Sequence, residues 1–104
     1  MLEKMKPVIR RSKNRFEVMD GNKYLGYIEV DKPKNGRVSY DYKYCVGLVY
    51  GGNSNCTIAD LPTRVNIYAC GMFGTYHYRN AARNNDHEKM KFWRDYIESS
   101  NRIN

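Results

Sequence analysis

Residues 37–50, RVSYDYKYCVGLVY, alternate strictly between two kinds of side chain. The odd positions begin charged and end small, whereas the even positions are aromatic or aliphatic: Val38, Tyr40, Tyr42, Tyr44, Val46, Leu48 and Tyr50. Successive side chains of a strand point to opposite faces, and no helix would gather this set on one side. The pattern predicts one long β-strand with a buried face, and Gly47 is the natural position for a bulge or bend.

The residues before this strand predict a hairpin and a turn. Residues 16–30 alternate on both sides of Asp20-Gly21, a dipeptide suited to the positive φ angles of a tight hairpin turn. The returning segment has apolar residues on both faces, which indicates a central strand, and Gly26 marks a bulge or a close approach. Residues 31–36, DKPKNG, carry the proline, asparagine and glycine of a turn.

The middle of the chain is expected to continue the sheet. Residues 51–55, GGNSN, predict a flexible loop, and residues 56–59 a short strand. Residues 64–70, RVNIYAC, alternate again and predict another strand, which the glycines of residues 71–74 end. Residues 75–83 fit either a short helix or an extended aromatic segment.

The last element is predicted to be a helix over residues 86–100. Asn85 is a suitable N-cap, and Glu88 three residues later completes an arrangement like a capping box. Met90, Trp93 and Ile97 recur at helical spacing, with other aromatic residues widening the stripe. We expect this stripe to face the apolar side of the long strand.

The order of elements, strands first and helix last, predicts an α+β fold. Short connections favour antiparallel pairing, so we expect a mostly antiparallel sheet of about five strands with the C-terminal helix packed on one face. A length of 104 residues fits a single domain spanning residues 1–104.

The chain is basic, with 18 Lys and Arg against 11 Asp and Glu and a net charge of +7. Such a balance favours polyanionic partners, either nucleic acid or an acidic protein surface. Residues 1–15 form a basic arm or an edge strand guarded by charge. The candidate binding residues are Lys4, Lys6, Arg10, Arg11, Lys13, Arg15, Arg79 and Arg83, of which the last two would share one face of a helix.

The cysteines and histidines do not predict a metal site. Cys45, Cys56 and Cys70 are odd in number and widely spaced, which implies no disulfide framework and no zinc spacing. The N-terminus is charged rather than apolar, and no run approaches the length needed to cross a bilayer. We therefore expect a cytoplasmic protein with reduced thiols, no membrane partner and no cofactor.

One segment, GTYHYRN, contains residue types used in metal-independent ribonuclease chemistry. His77 or a neighbouring tyrosine would move a proton, and Arg79 would stabilise negative charge on phosphate. A histidine among aromatic residues is more commonly a packing residue near a helix, so no catalytic residue is assigned.

The tyrosines at 40, 42 and 44 resemble a platform on which unpaired bases stack. The same face continues into Val46 and Leu48, which favours a core face under the helix instead.

These observations support a small basic binding protein without enzymatic activity that contacts nucleic acid through its Lys/Arg-rich surface. The small size and the Asn, Tyr and Lys/Arg content are also reminiscent of phage or mobile-element accessory proteins, which suggests an alternative: an inhibitor that binds a host or defence protein. A small metal-independent ribonuclease is the third hypothesis.

Overall fold

The computed structural model describes residues 6–47 and 49–101 of the chain. In this part it contains five strands and two helices. Their bounds are β1 Val8–Ser12, β2 Arg15–Asp20, β3 Lys23–Val30, β4 Arg37–Cys45, β5 Val49–Thr57, α1 Leu61–Arg83 and α2 His87–Asn101.

The strands form one antiparallel sheet in chain order, β1-β2-β3-β4-β5, so each strand pairs with the next one along the chain. The predicted hairpin is confirmed, because Asp20 pairs with Lys23 across a tight turn in which Gly21 has a φ of 60°. The predicted turn between β3 and β4 is also present, and Asn35 and Gly36 supply its positive φ angles of 56° and 76°. Within the N-terminal segment, residues 8–12 form β1 at the edge of the sheet, and residues 1–5 lie outside the described residues.

The prediction of one strand over residues 37–50 is wrong, because the chain folds back within it. β4 ends at Cys45, and Cys45 pairs with Val49 at the start of β5. Gly47 has a φ of 94°, so the glycine serves a full reversal rather than a bend. Residues 51–55, expected to form a flexible loop, lie in the middle of β5.

The strand predicted over residues 64–70 is also wrong, since these residues lie in α1. Its apolar residues alternate locally but also fit a helix: Val65, Ala69, Met72 and Phe73 recur at helical spacing and are all buried. Gly71 and Gly74, expected to break the pattern, are buried inside the helix.

The two glycines allow α1 to approach its neighbours closely. A Cβ atom on Gly71 would lie 2.5 Å from the Tyr44 hydroxyl, and one on Gly74 would lie 2.6 Å from Ile97 Cγ1. Both distances are too short for real carbon atoms, so with any larger residue either α1 or the Tyr44 and Ile97 side chains would have to shift. Packing of the helix thus outweighs the low helix propensity of glycine.

The helices cover one face of the sheet, and the core lies between the helices and the sheet. The predicted buried face of β4 is confirmed: Val38 and Tyr40 are at most 2 % exposed, and Tyr42 and Tyr44 are partly buried against the same core. α1 packs across β2, β3 and β4, with most of its sheet contacts on β3, and α2 packs mainly on α1, adding Trp93 to the common core. The chain therefore has the predicted α+β fold, with the C-terminal helix in the layer packed on the sheet.

The C-terminal helix starts at the predicted place but has a different cap. The Asp86 carboxylate accepts a hydrogen bond from the Lys89 backbone N–H at 3.1 Å. Asn85, the predicted cap, has a φ of 55° in the link between the helices. No helix within residues 6–47 and 49–101 is long and apolar enough to cross a membrane.

Candidate functional site

The sheet has two ends with different turns. We call the end with the β1–β2 and β3–β4 turns the lower end; the β2–β3 and β4–β5 turns mark the upper end. α1 starts at the lower end, where the Ile58 backbone N–H donates to the Gly36 carbonyl. It reaches the upper end near Arg79, whose guanidinium donates to the Gly47 carbonyl at 3.3 Å. The candidate basic residues divide between these two ends.

Arg11 and Lys13 lie at the lower end. Lys13 stands in the β1–β2 turn with a φ of 55°, and the Arg11 guanidinium donates to the Lys13 carbonyl at 3.2 Å. The same turn is tied to the end of β3, because the Val30 N–H donates to the Asn14 carbonyl at 2.7 Å. The sheet thus brings this turn beside the β3–β4 turn, which carries Lys32.

A cleft of about 590 Å³ opens between these two turns and the start of α1; we call it the lower cleft. Arg11, Lys13 and Lys32 line it, and Asp31 is the one acidic residue among its described lining residues. Its remaining lining is mostly apolar: Val30, Pro33, Val38, Ile58 and Leu61. A basic rim over an apolar floor suits a ligand with an anionic part and a flat, weakly polar part.

The other candidates on the first strands are placed differently. Arg10 lies opposite Glu17 in the register of β1 and β2, and Lys6 precedes β1 as an exposed residue. Arg15 donates to Glu29 at 2.6 Å and lies 3.9 Å above the Tyr27 ring, and this hydrogen bond to Glu29 raises the pKa of Arg15. Lys4 lies outside the described residues.

Arg79 and Arg83 lie on one face of α1, four residues apart, but away from Arg11 and Lys13. Arg79 contacts the β4–β5 turn, and its Nε atom is buried without a hydrogen-bond partner among the described residues. Arg83 is exposed in the last turn of α1. The lower end and the C-terminal end of α1 are therefore separate basic regions.

The tyrosines of β4 belong to the core rather than to an open stacking platform. Tyr40 is 1 % exposed, and its hydroxyl is bonded to Tyr68 and to Arg64 of α1, each at 3.2 Å. Tyr42 stacks on Tyr68 with 4.3 Å between ring centroids. Burial raises the pKa of Tyr44 to about 12. Tyr50 on β5, which is 54 % exposed, is the accessible member of this group.

A second constellation lies at the upper end around His77. The His77 Nε2 atom is 2.8 Å from the Asp20 carboxylate, and the ring stacks on Trp93 with centroids 4.4 Å apart. Asp20 occupies its position because it begins the tight β2–β3 turn, and His77 occupies its own through α1. This pair is not predictable from the sequence, because it depends on residues 75–83 lying in one long helix that reaches the β2–β3 turn.

His77 also lines a cleft of about 400 Å³ between the end of α1 and the start of α2, which we call the histidine cleft. Its polar lining includes Asn80, Asn84, Asp86 and Lys89, and its aromatic lining is Phe92 and Trp93. No group of three or more potential metal-binding side chains occurs among the described residues.

Comparisons of the chain with protein-family models, with curated proteins and with solved structures found no match.

Proposed function

We propose that the protein binds nucleic acid, with the lower cleft as its principal contact. The observation that carries this proposal is the placement of Arg11, Lys13 and Lys32 around one partly apolar cleft. Phosphate groups would contact the cations, and an unpaired base would lie against the apolar floor. A single strand can place its phosphates on the cations and a base on the apolar floor at once, whereas the bases of a duplex are stacked inside.

The electrostatics of the lower cleft support the proposal. Among the described residues, no acidic side chain lies within 4.0 Å of the charged groups of Arg11, Lys13 or Lys32. The Arg15 guanidinium, by contrast, is already paired with Glu29. Three like charges held close together by two turns repel each other, and an anionic ligand relieves that repulsion.

Replacing Arg11, Lys13 and Lys32 together by Ala tests the proposal. Binding of a fluorescent single-stranded oligonucleotide should weaken, and the slope of log K against log salt should become shallower by about 2, since each lost phosphate contact removes about 0.7. The matched control replaces three exposed cations elsewhere, Lys23, Lys91 and Arg94, and so removes the same charge.

Equal weakening in both triple variants would show that net charge, and not the lower cleft, holds the nucleic acid. No binding by the parent protein at low salt would overturn the proposal altogether. Melting of both variants at the parent temperature confirms that the comparison concerns binding and not folding.

The edge strand β1 favours a second candidate function, an inhibitor that binds an acidic protein segment. All five residues of β1 are exposed, and within the described residues only β2 pairs with it. An extended acidic segment could add as a further strand, with its carboxylates near Arg10 and Arg11. A stoichiometric complex that survives nuclease treatment and is lost when Pro replaces Ile9 would support this candidate over the first.

A further inference from the structure

The pairing of His77 with Asp20 is unlike the other polar contacts of the helix layer. It joins an imidazole to a carboxylate at 2.8 Å. Both side chains are partly exposed, His77 by 27 % and Asp20 by 34 %. A carboxylate that accepts the Nε2 proton fixes the tautomer of a neutral imidazole. The other nitrogen, Nδ1, then carries the lone pair and can accept a proton.

The surroundings of His77 hold the ring in one orientation. One ring face stacks on Trp93, with 16° between the planes, and Phe73 and Tyr76 meet the imidazole with centroids 4.6 and 5.1 Å away. Contacts with Asp20, Trp93 and Phe73 come from three different elements, so the ring is positioned by the fold as a whole. Such fixed placement is what a proton-transferring group requires.

The histidine cleft adds groups suited to a nucleotide. Lys89 can contact a phosphate, the amides of Asn80 and Asn84 can bond to sugar or base, and Phe92, 40 % exposed, offers an aromatic surface. Its volume of about 400 Å³ is in the range of small-molecule sites. These groups lie beside the proton acceptor rather than at the lower cleft.

We infer that the histidine cleft cleaves RNA strands, with His77 as the general base and Asp20 as its positioning residue. This inference rests on the proposed nucleic-acid binding and goes beyond it by adding a reaction. The 2′-oxygen of a ribose bonds to the adjacent phosphorus while the bond from phosphorus to the 5′-oxygen breaks. His77 Nδ1 takes the proton of the 2′-hydroxyl, and Lys89 balances charge on the phosphate.

The step needs no further reagent. The leaving 5′-oxygen takes a proton from water, and the hydroxide so formed takes the proton back from the His77 imidazolium. The products are one strand with a 2′,3′-cyclic phosphate and one with a 5′-hydroxyl. DNA has no 2′-hydroxyl, so it can bind but cannot react.

The test incubates the full chain with an end-labelled RNA oligonucleotide and with the same sequence as DNA. We expect cleavage of the RNA alone, with cyclic phosphate ends. H77Q should lower the rate about 10²- to 10⁴-fold, the usual contribution of a general base. The control is H87Q, because His87 is exposed at the start of α2 and does not line the cleft; it should cleave at the parent rate.

Asp20→Asn tests the positioning role. It should lower kcat while leaving KM and the melting temperature near the parent values, because the amide can still occupy the position but cannot stabilise the imidazolium. A residue that only held the fold together would change the melting temperature instead. Asp20→Glu should restore part of the lost kcat.

Several results would overturn the inference. RNA that binds but stays intact would refute it and leave the proposed binding function standing. Cleavage that persists in H77Q would place the reaction elsewhere or in a contaminant. An RNA with a single 2′-deoxy sugar at the cleaved position must resist cleavage there. This experiment uses only the parent protein, so its outcome does not depend on the folding of a variant. Binding to the DNA strand, measured by anisotropy, reports separately on the proposed function.

Discussion

The two ends of the sheet differ in whether their charged groups have partners within the protein. At the upper end, polar groups contact one another across elements: His77 meets Asp20, and the Arg79 guanidinium reaches the Gly47 carbonyl. At the lower end, Lys13 and Lys32 face solvent around a cleft without a salt bridge to a described acidic residue. The upper end therefore uses its polar groups to join helices to the sheet, whereas the lower end leaves its cations available.

This difference separates two kinds of function on one small domain. Unpaired cations on turns supply electrostatic attraction and tolerate substitution, because little packing depends on them. A histidine held by a carboxylate and an indole supplies fixed geometry, which chemistry requires and which depends on packing. Substitution of packed residues should therefore change stability at the upper end, and substitution of the unpaired cations should change ligand binding at the lower end.

The largest expected effect is that of Trp93→Ala at the upper end. Trp93 is 9 % exposed and contacts both His77 and Phe73, so its loss leaves a cavity between α1 and α2. We expect a loss of about 3–5 kcal/mol in the free energy of unfolding, measured by urea titration. The neighbouring Phe92→Ala removes an aromatic ring that is 40 % exposed and should cost much less.

If Trp93→Ala left the unfolding midpoint unchanged, α2 would not be part of the cooperative core. The contrast between a packed upper end and a solvated lower end would then fail, because the histidine cleft would have no rigid wall. Equal losses in Trp93→Ala and Phe92→Ala would contradict the difference in their burial.

A smaller effect distinguishes the turns at the two ends. Gly47 and Gly36 both have positive φ angles, 94° and 76°, so alanine is strained by about 1–2 kcal/mol at either position. At Gly47 the new Cβ would also lie 2.9 Å from Arg79 Nε, whereas at Gly36 nothing lies within 4 Å. We expect Gly47→Ala to be more destabilising than Gly36→Ala, by about 1 kcal/mol.

Combining Gly47→Ala with Arg79→Ala sharpens this comparison. If the extra cost comes from the guanidinium, it should disappear when the side chain is absent, and the two substitutions should be non-additive. Additive losses would mean that Arg79 does not limit the space at the β4–β5 turn.

The strands β2, β3 and β4 were predictable because their alternation and their turns agree. Gly21, Asn35 and Gly36 occupy positions at which the tight turns need positive φ, so the local signal and the topology coincide. The buried face of β4 followed from parity alone. These features depend on residues near one another in the chain.

α1 was not predictable by the same reasoning, because its sequence resembles a strand with glycine breaks. Gly71 and Gly74 make sense as helix residues only when Tyr44 and Ile97 are known to lie against them. The pairing of His77 with Asp20 depends on the same missing helix. The cations at 11, 13 and 32 are obvious in the sequence, but their gathering around one cleft results from two turns meeting at the lower end.

The smallest expected effect is on the stability of the lower end itself. In the Arg11, Lys13 and Lys32 triple alanine variant, the free energy of unfolding should stay within about 0.5 kcal/mol of the parent, the usual range for surface substitutions. At low salt the variant should have the slightly higher free energy of unfolding, because three like charges no longer repel one another. This difference should vanish near 1 M salt, where the screening length is about 3 Å. Urea titrations at both salt concentrations measure it. A clear loss of stability at either concentration would mean that the lower cations hold the turns together, and the contrast between the two ends would be lost.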